Sequence, residues 1–310
     1  MLVICGEVLV DLVPSRCGDE PGFVPRGGGS PYNVAVGLGR LGLEVGFLGR
    51  VSRDRFGRML RERLERNGVD LAYLGEGSEP TTLAIVHLAE GSEPEFAFYD
   101  EGTADRLIEV SQLPPILPST VRALHFGSIS LVREPGASTF ETLLERESGR
   151  RLISLDPNVR PSLIPDRGMY VRRLEGWVRR SDLVKVSRAD LGWLYPDRSP
   201  EAVARTWLES GPALVVVTRG EQGSLALGRA GAAEVPGRPV AVSDTVGAGD
   251  AFTAGLLAWL DDHDRLDRAG VERLDARQIG AALDFADSIA SITCTRTGAE
   301  PPTREELPGL

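Results

Sequence analysis

The sequence predicts an α/β protein built on a mostly parallel sheet with helices on both faces. Three observations carry this expectation. Short apolar, β-branched runs alternate with segments of helical periodicity. The 36 glycines and 21 prolines imply many tight connections between short elements, not a helical bundle. The 310 residues, 42% hydrophobic and 26% charged, are enough to bury a sizeable core without bulk disorder.

The elements follow in order. LVICGEVLVDLV opens the chain as a strand. It is short, lacks a basic leader and contains Glu7, so it does not read as a signal peptide. VGFLGRV is the next strand, followed by a periodic helix, RFGRMLRERLERNG. VRALHFGSI (121–129), RLISLDP (151–157), DLVKVS (182–187) and ALVVVTRG (213–220) continue the strands, with EAVARTWLES as a further helix. Two regions break the rhythm. One is roughly 12–26, which runs into PRGGG (25–29). The other is 81–102, which reads as two strands around the turn AEGSEP. Each is either an excursion within an ordinary sheet or part of a small β lid above a pocket. PPTREELPGL is expected to pack as a turn and tail.

Composition also narrows function. A net charge of −10 argues against a broad nucleic-acid or anionic-membrane surface, while leaving room for a local phosphate pocket. The arginines of GRVSRDRFGRML fit a solvated helix face or ordinary surface ion pairs. Cys5, Cys17 and Cys294 form no CxxC pair, which fits a reducing compartment, and Cys294 is expected to pack inside. His87, His125 and His263 show no zinc-binding spacing. No run of 18 apolar residues occurs, so no membrane span and a cytoplasmic location are expected.

The chemistry concentrates in SDTVGAGDAFTAG, 243–255. Gly247, Ala248 and Gly249 permit close backbone approach before a helical run. Two readings stand side by side. In one, Asp250 caps the helix and the glycines make its turn. In the other, free N–H groups and the helix dipole hold an anion while Asp250 accepts a proton from an attacking hydroxyl. Neither a GxxxxGK[ST] loop nor a GxGxxG fingerprint is present.

SDTVGAGDAFTAG resembles the C-terminal signature of the PfkB/ribokinase family of sugar kinases, and GGGSPYNVAVGLGRLG (27–42) resembles the N-terminal one. Order and separation match over nearly the whole chain. Val246 departs from the threonine common at its position. The resemblance implies a ribokinase-like three-layer sandwich, a single catalytic domain over 1–310 with lid segments near 12–26 and 81–102. It implies Asp250 as catalytic base and Gly247, Ala248 and Gly249 as the anion hole. It carries sugar-binding roles to Asp11, Gly28, Gly29 and Asn33; the last would otherwise only start a helix. Asp244 and Thr245 would belong to a K⁺ loop. Mg²⁺ would arrive with ATP.

FAFYDEGTADRLI, LHFGSISLVREP, SLDPNVRPSLI and KVSRADLGWLYP are similar to the bacterial fructokinase branch. That resemblance adds Phe98 and Arg160 toward the sugar. Lys185, Thr218, Gly220, Gly223, Ala290 and Gly298 are added toward the nucleotide. Residue by residue, plainer roles stand beside these: an aromatic in a small core for Phe98, a surface charge for Arg160, a solvent-facing strand end for Lys185, ordinary turns for the glycines. The implied reaction is ATP-dependent phosphorylation of fructose at the 6-hydroxyl. The alternatives are 2-keto-3-deoxygluconate, ribose or a nucleoside as acceptor, or a sugar-binding regulator without turnover. An unpaired lid edge makes a homodimer an expectation.

Overall fold

The computed structural model describes residues 1–17, 19–87 and 95–307. In chain order its strands are β1 (Leu2–Cys5), β2 (Leu9–Cys17), β3 (Glu20–Gly28), β4 (Val45–Ser52), β5 (Leu74–Gly77), β6 (Leu83–His87), β7 (Glu95–Tyr99), β8 (Ala123–Gly127), β9 (Leu152–Asp156), β10 (Leu183–Ser187), β11 (Leu214–Thr218), β12 (Ser224–Gly228) and β13 (Ala232–Val235). The helices are α1 (Ser30–Arg40), α2 (Arg55–Arg66), α3 (Gly136–Glu147), α4 (Arg167–Arg180), α5 (Arg188–Leu194), α6 (Pro200–Ser210), α7 (Ala248–Asp262), α8 (Arg268–Glu272) and α9 (Ala276–Cys294).

Nine strands form the main sheet in the order β13-β12-β11-β10-β9-β8-β1-β4-β5. All neighbours are parallel except the edge pairs β11–β12 and β12–β13. Alternate residues of a strand point to opposite faces. Leu2 and Ile4 of β1 therefore enter one core with α1, α2, α7 and α9, while Val3 and Cys5 enter another with α3, α4 and α6. Helices cover both faces, as expected of a parallel sheet and a three-layer sandwich.

The opening run is two strands, not one. Gly6 breaks it at φ +154°, and a Cβ there would lie 2.4 Å from Pro31 Cγ. The chain then leaves the main sheet and enters a second, four-stranded sheet ordered β3-β2-β6-β7. Both regions that break the sequence rhythm meet here, because Val10–Leu12 pair with Leu83–Ile85. The second sheet seats on the body through Leu9, Ala84, Ile129 and Leu163, with Phe96 and Phe98 against them. The turn AEGSEP and the last three residues of the tail lie outside the described residues; the tail's 304–306 form a 3₁₀ turn. Cys294 is half-buried, not packed inside; its carbonyl accepts the N–H groups of Ser243 and Asp244. Among the described residues, no helix is long and apolar enough to cross a membrane.

Candidate active site

The entrance of α7 is organised by glycine. Gly247 is the N-cap in the left-handed region, φ 77° and ψ 1°. A Cβ there would sit 2.4 Å from Ala299 Cβ, so conformation and packing both require glycine. Asp250 is consequently the third helical residue and does not cap. The Ala248 N–H donates to Thr245 O at 3.2 Å and the Ala251 N–H to Gly247 O at 2.8 Å. Ala248 is thus already engaged within the predicted anion hole. Gly249 and Asp250 stand at helix-start positions whose N–H groups have no acceptor one turn back. Gly249 is exposed, whereas Asp250 is buried.

The Asp250 carboxylate is held from two sides. Ser30 Oγ donates to Oδ1 at 2.6 Å, Asn33 Nδ2 donates to Oδ2 at 2.9 Å, and Asn158 Nδ2 lies 3.5 Å from Oδ1. Burial raises its proton affinity; the Ser30 and Asn33 bonds and the Lys185 charge oppose this, and Asp156 adds to it. The net shift is upward. Asn33 does not start its helix. Gly29, at φ 103°, is the N-cap and Ser30 the first residue of α1. That places Asn33 one turn in, where its buried Oδ1 has no protein partner among the described residues.

Across the seam between the sheets lies Asp11, on β2 and 9% exposed. Gly28 makes room for it: a Cβ there would lie 2.1 Å from Asp11 Oδ2. Burial pushes the Asp11 carboxyl up to about 7, with Arg160 pulling it down and Asp250 pushing it further up. Asp11, Arg160 and Asp250 therefore share one electrostatic neighbourhood. Arg160 Nη1 donates to Asn158 Oδ1 at 2.7 Å, and its guanidinium lies 6.0 Å from the Phe96 ring centroid. Phe98 stacks on Phe96 with centroids 6.1 Å apart, on the face of the small sheet that meets the body.

Lys185 is not a solvent-facing strand end. Its Nζ pairs with Asp156 Oδ2 at 2.7 Å, and both side chains are buried. The same Nζ would lie 3.0 Å from a Cβ on Gly249, which places a cation beside the α7 entrance.

Asp244 works as a clamp. Its Oδ1 accepts the Val246 N–H at 3.0 Å and its Oδ2 accepts the Gly298 N–H at 2.8 Å. The loop before α7 is thereby tied to the loop after α9. Thr245 is exposed. Gly220 turns at φ +60° with open space around it. The smallness of Gly223 is used by packing, since a Cβ would meet Val235 O at 2.0 Å. Thr218 at the end of β11 and Ala290 on α9 are half-buried.

Sequence reasoning missed three contributors. Ser30 stands inside the quoted GGGSPYN segment, and its short hydroxyl beside the helix start was the available signal. Phe96 alternates with Phe98, so the period of two was the signal. Glu7 is buried at 3% exposure and accepts the N–H groups of Ser30 and Ser130 at 3.1 and 3.2 Å. Burial pushes its carboxyl up to about 7. Only the fold brings it to the start of α1. Chemically, the arrangement offers a buried proton acceptor at a helix entrance, with polar groups of a second sheet facing it.

Comparisons agree with this geometry. Residues 1–306 match the profile of the pfkB family carbohydrate kinase. A fructokinase of Rhizobium leguminosarum bv. trifolii is 41% identical over 280 residues, covering 90% of this chain and 85% of its own. The fructokinase of Xylella fastidiosa with bound ATP superposes with a TM-score of 0.87 at 29% identity, covering 96% of this chain and 93% of that one. A double mutant of the Vibrio cholerae O395 fructokinase, bound to fructose, ADP and potassium ion, superposes with a TM-score of 0.84 at 29% identity, covering 96% and 93%. With a match that spans nearly the whole chain, this protein belongs to the pfkB family of carbohydrate kinases.

Proposed function

We propose that the chain is an ATP-dependent fructokinase, a single catalytic domain that converts fructose and ATP to fructose 6-phosphate and ADP. The observation that carries this reading is Asp250, buried at the entrance of α7, oriented by Ser30 and Asn33, and facing Asp11 across the seam between sheets. Relatives that are 41% identical or superpose with TM-scores of 0.87 and 0.84 are fructokinases, which supports fructose as acceptor.

The sugar lies between the sheets. Asp11 accepts hydrogen bonds from its hydroxyls, and Asn33 Oδ1 offers a free acceptor. Gly28 and Gly29 let the backbone approach, Arg160 covers acceptor or phosphate oxygens, and Phe96 and Phe98 close the apolar side. Asp250 takes the proton of the primary hydroxyl, and the new oxygen–phosphorus bond forms as the bond to ADP breaks. Charge on the moving phosphoryl group meets the N–H groups of Gly247 and Gly249 and the positive end of α7, while the Ala248 N–H, bonded to Thr245 O, holds the turn in shape. The small sheet acts as a lid that excludes water as an acceptor.

The nucleotide lies toward Lys185, Thr218, Gly220, Gly223, Ala290 and Gly298. Mg²⁺ accompanies it, bound largely through phosphates and water. Both Asp244 oxygens already hold backbone N–H groups, so this residue serves a K⁺ site by shaping the loop. Carbonyls of that loop, including Thr245, are the oxygen donors a K⁺ ion accepts. Exposed Phe23 and Tyr99 on the lid strands favour a homodimer joined there, and Phe23→Ser should lower the mass seen in sedimentation.

An ATP-coupled panel of fructose, 2-keto-3-deoxygluconate, ribose, glucose and adenosine tests the assignment, with the product position read by NMR. Preference for fructose and a phosphate on carbon 6 is expected. Preference for another acceptor removes the fructose reading. Sugar binding by folded protein without any turnover removes the kinase reading.

A further inference from the structure

A second concave site lies between α1, α2, the end of β3 and the loop after α9. It encloses about 420 Å³, within the range of small-molecule pockets. Four arginines line it, Arg26, Arg40, Arg63 and Arg66, against one carboxylate, Glu300. This is a concentration of positive charge on a chain whose net charge is −10. Glu300 is shared by Arg40 at 3.3 Å and Arg63 at 2.9 Å, and Arg40 also lies 3.9 Å from Glu306. Arg26, half-buried, has no carboxylate partner among the described residues, and Arg66 makes its hydrogen bond to the Glu62 carbonyl of its own helix. The Nε of Arg40 is buried without an acceptor. Tyr32 forms the floor, with the Arg63 guanidinium 6.0 Å from its ring centroid.

We propose that this groove is an effector site for a small polyanion, a molecule with two or more phosphate or carboxylate groups. Guanidinium forks match such groups bidentately, and a concave wall strengthens the field. The volume suits a sugar bisphosphate or a tricarboxylate and is too small for a nucleic-acid strand.

The groove touches the α7 entrance through one short chain of contacts. Arg63 Nη2 donates to Ala299 O at 2.8 Å, and Ala299 packs on Gly247, leaving no space for a Cβ. The floor residue Tyr32 precedes Asn33, which holds Asp250. An anion that draws Arg63 toward itself shifts the segment on which Gly247 rests. The site is separate from the reaction, but its effect on turnover rests on the kinase reading above.

The test uses inorganic pyrophosphate and citrate as probes, by titration calorimetry at fixed ionic strength with saturating ADP present. The variants are Arg26→Ala combined with Arg66→Ala, and Arg58→Ala on the same helix but outside the groove. Binding to the wild type is expected to weaken about tenfold or more in the double variant, from loss of charge-assisted bonds, and to be unchanged in Arg58→Ala. Equal loss in Arg58→Ala would reveal general charge attraction and overturn the site, as would unchanged affinity in the double variant or no binding to the wild type. In turnover assays, pyrophosphate is expected to change KM for ATP in the wild type and to leave it unchanged in the double variant. An effect that persists there is competition at the nucleotide site and overturns the effector role. Calorimetry reads the site even if the kinase reading fails.

Discussion

Asp250, in the body, and Asp11, on the small sheet, are buried to nearly the same degree, 6% and 9% exposed. Their surroundings differ. Two side chains, Ser30 and Asn33, donate to Asp250 at 2.6 and 2.9 Å. Asp11 accepts no hydrogen bond among the described residues; it has space made by Gly28 and the more distant charge of Arg160. A buried carboxylate with its donors in place is fixed in direction, which suits proton transfer to one atom. A buried carboxylate without them keeps its acceptor capacity for hydroxyls brought by a ligand, at a desolvation cost borne by the empty protein. The same residue type is thus prepared for the two tasks of the proposed reaction, divided by what its neighbours donate.

The largest expected effect breaks the held member of the pair. Asp250→Asn should lower kcat by about 10² to 10⁴ and leave sugar affinity near wild type; turnover assays with calorimetry check both. Wild-type kcat would remove Asp250 as base. Next comes the open member. Gly28→Ala, whose Cβ would collide with Asp11 Oδ2, should weaken sugar binding about as much as Asp11→Ala does, roughly 10- to 100-fold, through the loss of hydroxyl contacts to a carboxylate. Unchanged affinity in Gly28→Ala would mean that Asp11 is free to move.

A smaller change sharpens what holding means. The Ser30 bond keeps the Asp250 proton affinity down. In Ser30→Ala that affinity rises, so the acidic limb of the kcat–pH profile should move to higher pH. A limb that stays in place would show that Ser30 does not set the base. The smallest effect concerns the open acid alone. The Asp11 carboxyl is raised from 3.8 to about 7 in the folded state, so the fold binds its proton more tightly than the unfolded chain does. Its share of stability is therefore complete below about pH 4 and is lost as pH rises through 7. Asp11→Asn should melt higher than wild type at pH 8, by about 2 to 4 °C for each kcal/mol recovered, and this gap should close on acidification. A gap independent of pH would assign the change to packing.

Much of the fold is legible in local pattern. VGFLGRV, VRALHFGSI, RLISLDP and ALVVVTRG are apolar on both sides because parallel strands are covered on both faces, and each is a strand here. The opening run was not divisible by pattern, since both halves are apolar; the steric demand at Gly6 comes from Pro31 and Ser130, far along the chain. The lid remained one of two readings for a similar reason. Pairing of β2 with β6 joins residues about seventy apart, and nothing local specifies it.

The candidate site divides along the same line. The two glycine-rich signatures mark Asp250 and Asn33 because short-range backbone demands leave a residue pattern, and Asp11 is marked by its place at the end of the apolar run GEVLVD. Ser30 and Phe96 carry only faint local signals, a hydroxyl beside a helix start and a period of two, and Glu7 carries none. Ser30 reaches Asp250 across 220 positions of sequence and Glu7 reaches Ser130 across 123. The sequence by itself determined the element types, the family signatures and the acids on which the chemistry rests, because these follow from periodicity and from the turns that glycine permits. The tertiary structure alone decided which acid is held and which is left open, because hydrogen-bond donors and the space around a carboxylate come from segments that meet only on folding.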